Sequence, residues 1–339
     1  MKKQLAHSLK KGETIGFFSP SSPATFFAPS RYKRAQNYLI SCGYLLKPGS
    51  LTGKEASYRS GSIQARADEL NTLIRDPNVR CIMSTIGGSN SNSILPYIDY
   101  DAFIADPKII VGYSDATAIL LAIYAKTQIP TFYGPALVAS LGEFPPLVDQ
   151  TFSYFLDMVS DQTPYPHSFP LPPQWTENYI PWEEQSYAKA TQANQWQTLN
   201  SGKARGRLIG GNLNTMLAIW GSPYMPEIQQ GDILLIEDSL KDAATMERLF
   251  AFLKLQGIFE KVGGILLGKH ELFKGPRTPQ DILLEIIGTP TIPIIAEFDC
   301  SHTHPMLTMV IGSQIEIDAN AKTVRMLSAC VSSEIKRAD

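Results

Sequence analysis

The chain alternates short apolar runs with segments of helical spacing through most of its length. The runs TIGFF (14–18) and KIIVG (108–112) are typical of buried strands, and each is followed after a turn by a helical pattern. Strands that alternate with helices form mainly parallel sheets whose two faces are covered by those helices. The alternation therefore predicts an α/β fold that begins with a Rossmann-like, mainly parallel sheet.

The length of the chain favours more than one folding unit. A chain of 339 residues exceeds the usual size of a single hydrophobic core. We predict an N-terminal α/β domain over 1–160 and a smaller C-terminal α/β domain over 204–339, which closes with a β-hairpin turning at Asp318–Ala321. Residues 161–203 are rich in proline and tryptophan and have little periodicity, so they are predicted to connect the domains and to form a long surface loop.

Composition excludes several classes of function. The formal net charge of −2 gives no basic footprint for nucleic acid or an anionic membrane. Neither a secretory leader nor a run of about 20 apolar residues is present in the sequence. The four cysteines form no CxxC pair, and HExxH is absent, so no metal site is expected. The sequence predicts a cytoplasmic protein with reduced thiols and no cofactor.

Candidate functional residues stand where predicted strands end, because ligands of open parallel sheets bind beyond the carboxyl ends of the strands. The polar groups at these positions are a serine on a sharp turn, acids and histidines: Ser19–Ser22, Gly87–Asn90, Gly112–Asp115, Gly210–Asn214, Glu237–Asp238, Lys269–Glu271 and Ser301–His304. Neither GxGxxG nor GxxxxGK[ST] occurs. A dinucleotide or P-loop site is therefore not predicted.

The sequence IIVGYSDATAILLAIYAK places Ser114 between a strand and a helix. A strand, a tight turn and a helix can raise a serine Oγ above a sheet beside free backbone N–H groups, as in a nucleophile elbow. GYSD does not match GxSxG, and a serine at such a turn is also an ordinary N-cap. The local sequence therefore leaves two alternatives for Ser114, a nucleophile or a helix N-cap.

A serine nucleophile needs a base, and histidine with an orienting carboxylate is the commonest one. Of the five histidines, His270, His302 and His304 follow strands in the second half. Each neighbouring feature also has a structural explanation: Glu237–Asp238 can cap a helix or pair with Lys241, SHTHP can be a solvated turn, and Gly87–Gly88 can serve a tight turn. A binding protein of α/β class remains an alternative at this point.

Taken together, these segments resemble the LD-carboxypeptidase family of serine peptidases, and in particular its microcin C immunity branch. The similarity runs in order through YRSGSIQARADELN, CIMSTIGGSNSNSILPYIDYDA, KIIVGYSDATAILLAIYAKT, GRLIGGNLNTMLAIWGS and GDILLIEDS. The versions LGKHELF and DCSHTHP favour the immunity branch. One departure is LTMVIG (307–312), where the family pattern has a proline, and we expect it to alter local backbone rigidity.

The resemblance implies a Ser-His-Glu triad. Ser114 in GYSD matches the family's serine, Glu237 in LLIED its acid, and His302 in SHTHP its histidine. The nucleophile would then come from the first domain, and the base and its orienter from the second. We expect the backbone N–H groups of Gly88 and Asp115 to form the oxyanion hole.

The same resemblance implies the substrate. The immunity branch cleaves the amide between an acidic amino acid and a nucleotide-like group. The resemblance to it implies that the ligand contacts are Asn214, Lys241 and Glu271, with Lys241 facing a phosphate or sulfamate. From the loop after the first domain, Trp182 is the first choice to stack on the base and Trp175 the second. The alternatives are a murein LD-carboxypeptidase that removes terminal D-alanine and an inactive binding protein. A homodimer is implied by likeness alone.

Overall fold

The computed structural model describes residues 4–333 of the chain. The first half contains six strands, which are β1 (Ala6–His7), β2 (Thr14–Phe18), β3 (Leu45–Pro48), β4 (Val79–Ser84), β5 (Ile109–Gly112) and β6 (Thr131–Tyr133). Its α-helices are α1 (Ala24–Phe27), α2 (Pro29–Ser41), α3 (Ile63–Arg75), α4 (Tyr100–Ala105), α5 (Thr117–Thr127) and α6 (Leu147–Val159). Two 3-10 helices, Ser91–Tyr97 and Ser114–Ala116, complete this half.

The remaining strands are β7 (His167–Ser168), β8 (Gln174–Trp175), β9 (Gln192–Ala193), β10 (Gln197–Asn200), β11 (Lys203–Asn212), β12 (Ile233–Glu237), β13 (Gly264–Gly268), β14 (Ile294–Phe298), β15 (Met309–Ile311), β16 (Gln314–Asp318), β17 (Thr323–Met326) and β18 (Val331–Ser332). The helices of this half are α7 (Leu213–Leu217), α8 (Ala243–Leu255), α9 (Ile258–Lys261) and α10 (Pro279–Ile287). No helix within residues 4–333 is both long enough and apolar enough to cross a membrane.

The first sheet has six strands in the order β15-β6-β5-β4-β2-β3. The five strands from the first half are parallel, and numbered along the chain they have the order 2-1-3-4-5 of a doubly wound sheet. Every residue of helix α5 from Thr117 to Tyr124 is buried, which explains why its sequence is apolar without clear amphipathicity. The predicted α/β class with a mainly parallel first sheet is confirmed.

The second sheet has eight strands in the order β10-β14-β13-β12-β11-β16-β17-β7. Its centre, from β11 to β14, is parallel, and the strands added at both edges are antiparallel. Strands β16 and β17 form the predicted closing hairpin, in which Asp318 pairs with Thr323. Glu237 stands at the carboxyl end of a central strand of this sheet.

Chain segments cross between the two halves. Strand β15 follows the loop that contains His302 and His304 and pairs antiparallel with β6, so it extends the first sheet. Val310, which stands in the segment where the family pattern has a proline, lies in the middle of this edge strand. Residues 161–203 contain four short strands, two of which extend the second sheet, so this segment is more ordered than its sequence indicates. The boundaries predicted after residues 160 and 203 stay predictions.

Candidate active site

The first sheet changes winding direction between β2 and β4, and two polar loops meet there. Ser21 Oγ accepts hydrogen bonds from Ser89 N at 3.0 Å and from Asn90 N at 3.1 Å. Gly88 lies beside these contacts with φ of +143°, and a Cβ at this position would collide with Ser21 Oγ. A glycine is therefore required at residue 88, and its backbone reaches the cavity beyond the strand ends.

Ser114 adopts a strained backbone conformation at the end of β5. Its φ of +60° lies in the left-handed region, which costs about 1–3 kcal/mol for a residue with a side chain. Neither the 3-10 helix Ser114–Ala116 nor α5 uses a side-chain cap, so Ser114 does not serve as an N-cap. The structure therefore excludes the alternative that Ser114 is an ordinary helix N-cap.

The carboxylate of Asp115 ties this turn to the glycine loop. Its Oδ2 accepts hydrogen bonds from Asn90 N at 2.9 Å and Ser91 N at 2.8 Å. A Cβ built on Gly87 would lie 2.9 Å from both Ser114 Oγ and Asp115 N. The side chain of Asp115 thus holds the loop, while its backbone N–H lies beside the serine hydroxyl.

His302 and Glu237 form a direct hydrogen bond. The distance from His302 Nδ1 to Glu237 Oε2 is 2.8 Å, and the carboxylate is buried. Glu237 Oε1 accepts two more hydrogen bonds, from the Tyr133 hydroxyl at 2.6 Å and from Asn212 Nδ2 at 3.0 Å. Both carboxylate oxygens are therefore held, which fixes the orientation of the imidazole.

The electrostatics of this pair favour a charged carboxylate and a readily protonated histidine. Burial opposes the ionised form of Glu237, but the charge and hydrogen bond of His302 and the hydrogen bonds of Tyr133 and Asn212 lower its pKa overall. Burial likewise opposes protonation of His302, but the charge and hydrogen bond of Glu237 raise its pKa above 6.5. A base with this pKa can accept a proton near neutral pH and hold it as imidazolium.

A cavity of about 400 Å³ lies over these groups. Apart from Glu237, which lies behind His302, every site residue predicted from the sequence lines it: Gly88, Ser114, Asp115, Trp182, Asn214, Lys241, Glu271 and His302. Trp182 stacks on Phe27 with ring centroids 6.0 Å apart. Trp175, the second choice for a base contact, instead faces Lys269 in a separate cavity.

The loop around Lys241 is held by neighbouring polar groups. Lys241 Nζ lies 3.7 Å from Asp238 Oδ1, and the other oxygen of Asp238 accepts from Asn214 N at 3.0 Å. His270 Nε2 accepts from Lys241 N at 3.1 Å, and burial lowers the pKa of His270 to about 4. His270 therefore stays neutral and positions this loop. Burial raises the pKa of Glu271.

Two residues of the site, Tyr133 and Lys189, were not among those selected from the sequence. Tyr133 holds Glu237 together with Asn212, and Lys189 lines the cavity together with His304. Asn212 and His304 lie in the strand-end segments Gly210–Asn214 and Ser301–His304 that the sequence indicated, although neither was assigned a role there. Tyr133 is the last residue of its strand, so the strand-end argument could have found it, whereas Lys189 in the 161–203 segment carries no sequence signal that singles it out. Across residues 4–333, no three His, Cys, Asp or Glu side chains gather as a metal site requires.

The two β-sheets bring a serine with a strained backbone and a histidine hydrogen-bonded to a carboxylate to one cavity. This arrangement is that of a serine hydrolase. Family models bear this out: the model described as LD-carboxypeptidase N-terminal domain matches residues 15–134, and that described as LD-carboxypeptidase C-terminal domain matches residues 205–317. The chain belongs to the LD-carboxypeptidase family of serine peptidases, and the resemblance seen in its sequence is confirmed.

Individual relatives cover nearly the whole chain. A Vibrio cholerae protein named "Putative carboxypeptidase" is 58% identical over 95% of this chain and 97% of its own length. The microcin C7 self-immunity protein MccF of Escherichia coli is 50% identical over 97% of each chain. Solved structures of MccF with aspartyl sulfamoyl adenosine and with glutamyl sulfamoyl guanosine each match with a TM-score of 0.94 and 50% identity, over 97% of this chain and 100% and 99% of theirs.

Proposed function

We propose that this serine peptidase hydrolyses the amide between an acidic amino acid and a nucleotide-like group, in processed microcin C or related aminoacyl adenylate analogues, and so gives self-immunity to the toxin. One observation carries the proposal. The cavity that contains Ser114 and His302 also contains Trp182 and Lys241, in a chain 50% identical to MccF, which has been solved with two aminoacyl sulfamoyl nucleosides.

The reaction begins with proton transfer from Ser114 to His302. Because His302 Nδ1 donates to Glu237, its Nε2 is the free acceptor for the serine proton. Ser114 Oγ attacks the amide carbonyl, and His302 returns the proton to the departing nitrogen. Glu237 stabilises the imidazolium formed in between. Water then hydrolyses the aminoacyl ester on Ser114, with His302 taking a proton from the water and returning it to Ser114 Oγ.

The negative charge that develops on the carbonyl oxygen requires donors beside Ser114. We assign this role to the backbone N–H groups of Gly88 and Asp115, which line the cavity. Asp115 N lies 2.9 Å from the point where a Cβ on Gly87 would stand, in the space next to Ser114 Oγ. Removing one donor of an oxyanion hole costs about 3–4 kcal/mol of transition-state stabilisation.

The nucleotide-like part of the substrate is assigned to the other lining residues. Lys241 would face the phosphate or sulfamate, Asn214 the adjoining polar groups, and Trp182 the base. Glu271 is a partly buried carboxylate that lines the cavity and is suited to the α-ammonium of the aminoacyl group. Beside Trp182, an apolar cavity of about 730 Å³ continues the site between Phe27 and Leu272 and has room for a nucleoside.

Two further properties belong to the proposal. The sequence contains no CxxC pair, which suits a reducing cytoplasmic location, where a processed toxin would be met. The homodimer implied by family likeness is also retained as a proposal, and so is the absence of a cofactor.

The deciding experiment offers the purified protein aspartyl sulfamoyl adenosine and, separately, an L,D-muramoyl tetrapeptide. Release of the free amino acid or of D-alanine is followed by mass spectrometry, with the Ser114→Ala variant as the control. Cleavage of the nucleotide analogue alone, abolished in Ser114→Ala, is the expected result. Cleavage of the tetrapeptide alone would instead identify a murein LD-carboxypeptidase, and turnover of neither would indicate a binding protein.

A further inference from the structure

A cluster of buried charges adjoins the catalytic cavity and is not used by the proposed mechanism. The Arg31 guanidinium lies 3.1 Å from Glu143 Oε2, and Lys189 Nζ lies 3.4 Å from the same oxygen. The side chains of Arg31 and Glu143 are fully buried, and that of Lys189 is only 6% exposed. Two cations therefore share one carboxylate oxygen in a region from which water is largely excluded.

The carboxylate and the guanidinium are saturated by protein partners. Glu143 Oε1 accepts from Phe144 N at 2.9 Å and also from Gln185 Nε2. Arg31 donates to Val138 O at 2.9 Å and to Ala139 O at 2.8 Å, besides its bonds to Glu143 and Gln185. Burial opposes the ionised form of Glu143, yet the charges of His304, Arg31 and Lys189 lower its pKa to about 2.

Lys189 differs from both of its neighbours. Its ammonium has three N–H donors, and within residues 4–333 the structure gives it one ion pair, the 3.4 Å contact to Glu143. Since Arg31 already compensates Glu143, these three buried side chains together carry one positive charge in excess, and the charge of Glu271 in the same cavity also acts on Lys189. Burial and the charge of Arg31 lower the pKa of Lys189 although the charges of Glu143 and Glu271 oppose this, so a further anionic group in contact with the ammonium would stabilise its charged form.

The position of Lys189 connects this excess charge to the reaction. Lys189 lines the same cavity as Ser114, His302 and Glu271. It comes from the 161–203 segment, which also supplies Trp182, and not from the loop that carries Lys241. The cavity thus has two separate lysines, one for each anionic group of an acidic aminoacyl phosphate or sulfamate, and the Glu271 carboxylate remains for the α-ammonium.

We infer that Lys189 is the specificity-determining residue for the acidic side chain, whose carboxylate it binds while the neighbouring carbonyl is attacked by Ser114. The inference rests on the proposed function. An uncharged side chain of the same shape would leave the buried ammonium with Glu143, which it shares with Arg31, as its direct ion-pair partner. Sites built to pair a polar group discriminate strongly against analogues that lack it, by far more than sites that only exclude a methylene.

The test compares isosteric substrates that differ in one charge. Aspartyl and asparaginyl sulfamoyl adenosine have nearly the same shape, and glutamyl and glutaminyl sulfamoyl adenosine form a second pair. The kcat/KM ratio within each pair is measured for the unmodified protein, for Lys189→Met and for Lys189→Gln, which can still donate to Glu143. Lys203→Met is the matched control, because the Lys203 side chain is 74% exposed and pairs with Asp318 outside the cavity.

We expect the unmodified protein and Lys203→Met to prefer the acidic member by about 100-fold or more. In Lys189→Met and Lys189→Gln the preference should fall below about 10-fold, mainly through loss of activity on the acidic substrate. Thermal unfolding of each variant checks that the fold persists. An equal loss on the acidic and the neutral substrate, or an unchanged ratio, would overturn the role of Lys189 while leaving the proposed hydrolysis intact.

Binding measurements separate this inference from the proposed function. Calorimetric titration of Ser114→Ala and of Ser114→Ala/Lys189→Met with the aspartyl and asparaginyl compounds reads selectivity without turnover. A preference for the aspartyl compound that disappears in the double variant supports the role of Lys189 in specificity. If the unmodified protein hydrolyses neither compound, that failure refutes the hydrolytic proposal but not the role of Lys189 in binding. Equal affinity of Ser114→Ala for both compounds would overturn the inference about Lys189.

Discussion

The Tyr133 hydroxyl donates a hydrogen bond to Glu237 Oε1 over 2.6 Å and thereby joins the ends of two strands in different sheets. The same hydroxyl oxygen accepts from Ser114 N at 3.4 Å. One phenol group therefore contacts both the turn that carries the serine and the carboxylate that orients His302. In a site whose parts come from two sheets, such a contact sets the relative position of nucleophile and base.

Tyr133→Phe is expected to lower kcat more than it raises KM. The variant removes one of the two hydrogen bonds to Glu237 Oε1, leaves Asn212 in place, and keeps the ring that fills the interface. A hydrogen bond to a charged group contributes about 1.5–3 kcal/mol, so kcat should fall roughly 10- to 100-fold. Steady-state kinetics with aspartyl sulfamoyl adenosine measures this. Tyr100→Phe, which loses only a 2.8 Å bond to Leu95 O, is the control and should keep full kcat.

The pH dependence of kcat/KM should report the raised pKa of His302. Burial favours neutral His302, but the charge and hydrogen bond of Glu237, with the charges of Glu271 and Asp238, raise its pKa above 6.5. Only the neutral imidazole accepts the serine proton, so kcat/KM should fall as pH decreases, with a midpoint above 6.5. Glu237→Gln should move this midpoint to lower pH and reduce the plateau, because the imidazolium loses its partner. An unshifted midpoint in Glu237→Gln would contradict the assignment.

Gly87→Ala tests the packing around the nucleophile. A Cβ at this position would lie 2.7 Å from Ser114 Cβ and 2.9 Å from Ser114 Oγ, so the serine must move. We expect a loss of at least about 100-fold in kcat, the size of an oxyanion-hole or alignment defect. Gly53→Ala is the contrasting variant, because Gly53 has φ of +72° but no atom within 4 Å of the point that an added methyl group would occupy. It should lower the unfolding temperature and keep kcat.

The sequence predicted the elements whose signals are local. The strand, turn and helix around Ser114, the hairpin turn near Asp318, and the ends of the parallel strands all depend on neighbouring residues, and the structure contains them. Motif likeness then selected His302 over His270 and His304. Spacing alone left these three equivalent, because burial and partners are properties of the folded chain.

Other features depend on contacts between distant parts of the chain. Strand Met309–Ile311 joins the first sheet next to Thr131–Tyr133, although every local signal places it with the second half. Lys189 and Glu143 come from segments with no catalytic pattern, and only folding brings their charges together. Such pairings arise from the packing of whole sheets, which short-range periodicity does not encode.

Trp182→Ala should weaken the binding of nucleotide-like substrates. The indole is stacked on Phe27 at 6.0 Å and lies 4.9 Å from the Arg31 guanidinium, so it is held in the wall shared by two cavities. Stacking of a base on an aromatic ring contributes about 1–3 kcal/mol, which predicts a roughly 10- to 100-fold higher KM for aspartyl sulfamoyl adenosine. Trp175→Ala is the control, because Trp175 contacts Lys269 outside the catalytic cavity, and its KM should not change.

Glu143→Ala should destabilise the fold much more than the loss of a surface ion pair. The variant leaves the buried guanidinium of Arg31 and the ammonium of Lys189 without their shared carboxylate. Removing one partner of a buried pair costs about 3–5 kcal/mol, because the remaining charge is uncompensated. Urea unfolding followed by circular dichroism measures the change. Glu260→Ala removes the partner of exposed Lys254, a 2.6 Å contact, and should leave the unfolding midpoint nearly unchanged. Equal midpoints for the two variants would show that the buried cluster does not stabilise this protein.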